Sequence, residues 1–163
     1  MPKIYNNEKG ICWQLDLVLN EFINIAKDRS DSECWIPFDF VLDVDGSKYK
    51  FQEESTCFTV WEVKKIINGF QGIIDIMRNN PKRDIFEARF YPFEHACYEV
   101  FFDIKVSDAD DNLLEIELWI NMGYLNHSGY HTGFRFTVTL DEFREFTDGL
   151  RSEYENIILN LLR

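Results

Sequence analysis

The chain has 163 residues, of which 45% are hydrophobic and 16% aromatic, so one domain can bury a core without disulfides or a structural metal. Its formal net charge of −12, from 29 acidic and 17 basic residues, repels phosphate groups and argues against binding to nucleic acid or anionic membrane. The longest apolar runs are far shorter than a membrane span of roughly 20 residues, and the N-terminal residues lack the apolar stretch of a signal peptide.

The four cysteines have no close C-x-x-C spacing; they are Cys12, Cys34, Cys57 and Cys97. This pattern is typical of reduced, buried thiols in a cytoplasmic protein rather than of disulfides or zinc ligands. We therefore expect a cytoplasmic location.

The first part of the chain predicts three strands. Residues 11–19 alternate apolar and mostly polar side chains, with the period of two that is typical of a strand. After the polar connection "KDRSDSE" the alternation returns over 38–44 and 47–51. Asp45-Gly46 lies between these two runs and predicts a hairpin.

A helix is predicted to begin after Thr59. Thr59 is a candidate N-cap, and Glu62 stands three residues later, where it completes a capping box. "NNP" at 79–81 predicts the end of the helix. The apolar stripe consists of Val63, Ile66, Ile67, Phe70, Ile74 and Met77.

Four more strands and a second helix follow. The strands are expected over about 84–91, 97–106, 113–121 and 133–139. "SDADDN" is the predicted turn between the second and third of them. Thr139 and Glu142 form a second candidate capping box. The stripe of this helix consists of Phe143, Phe146, Leu150, Tyr154, Ile157, Ile158 and Leu161.

"TVWEVKKIINGF" at 59–70 and "TLDEFREFTDGL" at 139–150 resemble each other. Each shared position has a role in a helix: a cap, its partner, a solvated basic residue, and a glycine suited to close packing. We therefore interpret the similarity of the two segments as structural rather than catalytic. A duplicated strand–helix unit and independent selection for capping both account for it.

The element order is thus βββα-ββββα, with about seven strands and two amphipathic helices. Short turns between the strands favour a mainly antiparallel sheet, which the helices would cover. No linker-like segment divides the chain, so we expect a single α+β domain over 1–163.

No recognised catalytic or metal motif is present. His127 and His131 are four residues apart, but their segment is rich in glycine and reads as a loop. His95 stands two residues from Cys97, which fits a strand better than a nucleophile–base pair. "DADDNLLE" lacks the glycine and the final acid of an EF-hand. We expect no cofactor, no metal and no catalysis.

Charge is distributed unevenly along the chain. Between Arg89 and Arg135, Lys105 is the only basic residue among eight acidic ones. A hairpin of the strands at 97–106 and 113–121 would bring carboxylates and aromatic side chains to one face of the sheet. These candidate partner-binding residues are Glu99, Phe101, Asp103, Glu115, Glu117 and Trp119. Aromatic side chains in a charged surround are typical of protein interfaces; a solvated face whose aromatics lie beneath a helix is the alternative.

A series of motifs over about residues 11–158 resembles the WapI-type immunity proteins. They are a Trp-led strand at Trp35, the Asp45-Gly46 hairpin, Thr-x-x-Glu at Thr59, F-x-P-x-E at 90–94, and Leu-x-x-Phe at Leu140. The resemblance implies a cytoplasmic antitoxin that blocks a toxin domain, often a nuclease, without a cofactor or turnover. An acidic inhibitor suits a basic toxin domain.

Two other hypotheses remain open at this stage. One is a small enzyme or ligand-binding domain with a site near His95, His127 and His131. The other is an oligomeric scaffold.

Overall fold

The computed structural model describes residues 2–6, 13–20, 30–51, 57–79, 94–96, 102–110, 112–122 and 130–161. Within them the chain has nine strands and two long helices, and the order of strands, helix, strands, helix confirms the predicted α+β class. The elements are β1 (Lys3–Asn6), β2 (Trp13–Leu19), β3 (Trp35–Val44), β4 (Ser47–Phe51), β5 (Cys57–Thr59), α1 (Val60–Asn79), β6 (Glu94–Ala96), β7 (Phe102–Asp110), β8 (Leu113–Asn121), β9 (His131–Thr139) and α2 (Leu140–Leu161). A short 3-10 helix covers Asp31–Glu33.

Two compact units divide the chain. The first comprises Met1–Ile67 and Arg144–Arg163, and the second comprises Asn68–Phe143. Each unit contains one antiparallel sheet, with strands β1 to β5 in the first and β6 to β9 in the second. The expectation of one domain over 1–163 stays a prediction.

The first sheet has the strand order β1-β2-β3-β4, and β5 also pairs with β3. The core of this sheet follows from the alternation of side chains along the strand, because every second residue of β3 is buried over Ile36 to Leu42. The ring of Phe38 stacks on that of Phe58 at a centroid distance of 4.1 Å. The predicted hairpin is present, and Val44 pairs with Ser47. Asp45 and Gly46 both have positive φ, at 49° and 83°, as a two-residue type I′ turn requires.

Both predicted capping boxes are present. The backbone N–H and the hydroxyl of Thr59 donate to Glu62 Oε2 at 2.7 and 2.9 Å, and Glu62 N–H donates back to Thr59 Oγ1 at 3.1 Å. Thr139 and Glu142 repeat the arrangement at 2.8, 2.7 and 3.2 Å. The six predicted stripe residues of α1 are all buried. In α2, Phe143, Phe146, Leu150 and Ile157 are buried, whereas Tyr154 and Ile158 are half-buried.

The second sheet has the strand order β6-β7-β8-β9. β8 and β9 occupy nearly the predicted positions, and the alternate β8 residues Leu114, Ile116, Leu118 and Ile120 are buried. The predicted strand at 84–91 and residues 97–101 lie outside the described residues.

β7 extends beyond its predicted end at 106 and reaches Asp110. Its register with β8 shifts between Val106 and Asp108, so one extra residue is accommodated by a β-bulge. In a regular strand, Asp108 would occupy the same set of alternate positions as the apolar residue Val106. The pattern of alternation therefore stops at 106 although the pairing continues.

Candidate partner-binding face of the second sheet

The outer face of β8 and β9 is built by strand alternation. Because the alternate residues of β8 are buried, the intervening ones form the opposite face. We call this surface the outer face. It comprises Leu113, Glu115, Glu117, Trp119 and Asn121 of β8, which pair respectively with Thr139, Thr137, Arg135, Gly133 and His131 of β9.

Arg135 neutralises part of this face. Its Nη2 donates to Glu117 Oε1 at 2.6 Å, and its Nε lies 3.4 Å from Glu115 Oε1. One guanidinium therefore lies between two carboxylates that the sequence predicted as partner-binding residues. The trio keeps one net negative charge, so the face is less acidic than the count from 90 to 134 suggests.

Trp119 lies over the backbone of Gly133, its pairing partner on β9. A Cβ added to Gly133 would stand 2.6 Å from Cζ3, 2.7 Å from Cε3 and 2.8 Å from Cη2 of the indole. Because three successive ring atoms are almost equidistant from this point, the ring presents its face to the glycine rather than its edge. Gly133 thus provides the space that the ring occupies, which is a common reason for glycine within a strand.

The backbone register extends this face towards β7 and β6. Asp103 is opposite Trp119, and Asp108 is opposite Glu115 on the far side of the bulge. Lys105 pairs with Glu117 on one side and with Glu94 on the other. Glu94, Lys105, Glu117 and Arg135 are therefore successive backbone partners across four strands.

The structure brings together four of the six predicted partner-binding residues. Glu115, Glu117 and Trp119 share the outer face, and Asp103 is opposite Trp119 in register. Glu99 and Phe101 lie outside the described residues. Trp119 is 45% exposed.

Sequence reasoning missed Gly133 and Arg135. Gly133 interrupts the run of larger residues in β9, and that interruption was a usable signal. In the sequence, Arg135 only marks the end of the acidic segment. Its pairing with Glu115 and Glu117 depends on the register of β8 with β9.

The histidines do not form one site in the described part of the chain. His95 pairs in register with Ile104, which is itself opposite Leu118 of the buried set. His131 pairs with Asn121 of the outer face. These two positions belong to alternate sets of the sheet, and His127 lies outside the described residues. No group of three His, Cys, Asp or Glu side chains suited to a metal occurs among the residues searched.

The first unit carries another exposed tryptophan, Trp61, on α1. It is 53% exposed, and Lys65 Nζ lies 5.1 Å from the centroid of its ring, within the range of a cation–π interaction. In the neighbouring turn, Lys64 donates to Asp31, and this bond raises the pKa of Lys64.

Cys34 and Cys57 are reduced thiols, buried and half-buried respectively. Cys12 and Cys97 lie outside the described residues. None of the helices described is both long and apolar enough to span a membrane.

The chain is similar to a known protein family. The model of the immunity protein WapI-like family matches residues 3–157, which is all but the last residue of the region of resemblance at about 11–158. No curated protein matches the chain.

Proposed function

Because the chain belongs to the immunity protein WapI-like family, we propose that it is an antitoxin that binds a toxin domain and blocks its activity. The family match over residues 3–157 carries this proposal. We propose that the protein acts in the cytoplasm by occupation of the toxin surface, with no turnover and no cofactor.

The proposed partner is a basic toxin domain, such as a nuclease. A nuclease that binds phosphate groups presents positive charge, and a chain of net charge −12 would attract it over a distance. Complementary potentials accelerate encounter, which suits an inhibitor that must act before its target is damaged. The outer face, with Trp119, Glu115 and Glu117, is the proposed contact surface.

Co-expression with the toxin domain encoded by the neighbouring gene tests the function. We expect the two proteins to co-purify as a stoichiometric complex, cells to be protected, and the toxin to lose its activity in vitro. A chain with a native circular dichroism spectrum that neither binds this domain nor protects cells would contradict the proposal.

A further inference from the structure

We propose that Trp119 is a stacking platform for an arginine or lysine side chain of the partner, and that Gly133 is the residue that positions it. This inference rests on the proposed function and specifies the chemistry of its contact. It depends on three observations: the fit of the ring on Gly133, the engagement of Arg135 by carboxylates, and the contrast with Trp61.

The ring is held flat by its neighbour strand. One face of the indole covers Gly133, where the site of a Cβ is only 2.6 to 2.8 Å from three ring atoms. The residue as a whole is 45% exposed, so part of the indole is open to another molecule. A ring held in one orientation loses little conformational entropy on binding, so its contact area is available at low cost.

On β9, the arginine beside this ring is engaged by carboxylates. Arg135 is two residues from Gly133 on the same face of β9, yet its guanidinium is bound to Glu117 and Glu115. Trp61 differs, because Lys65 of the same helix already lies over its ring. Trp119 is therefore suited to a cation supplied by a partner.

The surroundings favour a positive ligand. Glu117 is two residues from Trp119 on the same face of β8, and Glu115 lies two residues further along that face; in the backbone register Asp103 of β7 is the partner of Trp119. A cation over an indole face is attracted by the ring quadrupole, and arginine adds planar stacking. The same flanking charges disfavour an acidic segment.

A peptide titration tests the platform without knowledge of the toxin. The probe is an alternating arginine–glycine peptide, and a glutamate–glycine peptide of equal length is its control. Indole N–H signals of the isotope-labelled protein report each tryptophan, in about 150 mM salt to reduce non-specific attraction. We expect a saturable shift at Trp119 with the arginine peptide and a smaller, non-saturating response at Trp61.

Replacement of Gly133 separates the effect of the orientation of the Trp119 ring from the effect of the surrounding charges. Gly133→Ala leaves the charges unchanged but forces the ring to move, and should weaken the affinity measured at Trp119 by about 3-fold to 30-fold. Gly72→Ala is the matched control, because a Cβ there meets nothing within 4 Å, and should not change the affinity. Circular dichroism and thermal unfolding show whether each variant is folded.

Defined outcomes overturn the inference. Equal affinities at Trp119 and Trp61, or a folded Gly133→Ala protein with wild-type affinity, would each do so. If Gly133→Ala does not fold, Trp119→Leu and Trp61→Leu are compared by anisotropy of a labelled arginine peptide, and equal losses reject the platform. Toxin binding unaffected by Trp119→Leu would reject this inference alone, whereas a Trp119 response to peptide without any toxin binding would reject only the antitoxin function.

Discussion

Glu153 of α2 accepts a hydrogen bond from the backbone N–H of Leu19 at 2.9 Å. Burial raises the pKa of this carboxyl above its usual value, although the bond from Leu19 acts in the opposite direction. A raised folded-state pKa means that the ionised form is less favoured in the folded than in the unfolded state. The contribution to stability is thus complete below about pH 4.3 and is lost as the pH rises through the raised pKa.

Glu153→Gln should therefore stabilise the protein slightly at pH 7, because the amide resembles the protonated carboxyl and the half-buried group is still partly screened by solvent. The gain should shrink towards pH 4, where the wild-type group is protonated. Urea unfolding between pH 4 and 8 measures it, with exposed Glu155→Gln on the same helix as control. A loss of stability that grows between pH 4 and pH 8 would show that the bond to Leu19 outweighs burial.

Replacing two helical glycines by alanine should have different effects on the free energy of unfolding. Gly72 has open space around it, so Gly72→Ala should raise the free energy of unfolding by about 0.5–1 kcal/mol through helix propensity. A Cβ on Gly149 would lie 3.2 Å from Pro2 Cα, in a segment whose Pro2 carbonyl accepts from Leu17. Gly149→Ala should therefore show no gain or a small loss. Chemical denaturation compares the two, and an equal gain would show that Pro2 yields easily.

At the scale of elements, the two capping boxes form a natural matched pair. Thr59 and Thr139 each end a strand and precede a helix, but the Thr59–Glu62 box is buried and the Thr139–Glu142 box is exposed. We expect Thr59→Ala to cost about 2 kcal/mol and Thr139→Ala about 0.5–1 kcal/mol. The difference arises because the first variant leaves the buried Glu62 carboxylate with one donor fewer. Equal losses in urea unfolding would contradict this reasoning.

Local rules predicted most of the described elements. Alternation in β3 and β8 and the two Thr-x-x-Glu boxes are encoded within a few residues, so they can be read without knowledge of the fold. β1, β5 and β6 were missed because four, three and three residues are too few to establish a period. Pairing with β2, β3 and β7 makes them strands.

At the scale of the whole molecule, charge should control association with a basic toxin. Replacing Glu115 and Glu117 by Gln would change their trio with Arg135 from one net negative charge to one positive charge. Association with the toxin domain at low salt should then slow by about 10-fold and depend less on salt. Stopped-flow mixing over a range of ionic strength measures both effects.

A second pair of substitutions controls for total charge. Glu145 and Glu155 are exposed on α2, and replacing both by Gln changes the net charge by the same amount. Because the outer face is unchanged in this variant, we expect its association rate to fall by less than about 2-fold. Equal rates for the two double variants would place the interface elsewhere.

The candidate site was predictable only in part. The alternation of side chains along a strand was sufficient to predict that Glu115, Glu117 and Trp119 lie on one face. The partners of these residues come from β9, and sequence spacing alone does not define the register between two strands. That register creates the contact of Trp119 with Gly133 and the pairing of Arg135 with two carboxylates.

The bulge in β7 has a consequence for chain length. β8 offers consecutive partners Ile116 and Glu115 to Val106 and Asp108, with Ser107 as a surplus residue between them. A relative lacking Ser107 would keep every pairing of this hairpin, whereas a relative lacking Lys105 would set Ile104 opposite Glu117 and reverse the two sides of the strand. A deletion should therefore be tolerated at Ser107, whereas a deletion two residues earlier should disturb the alternation of β7.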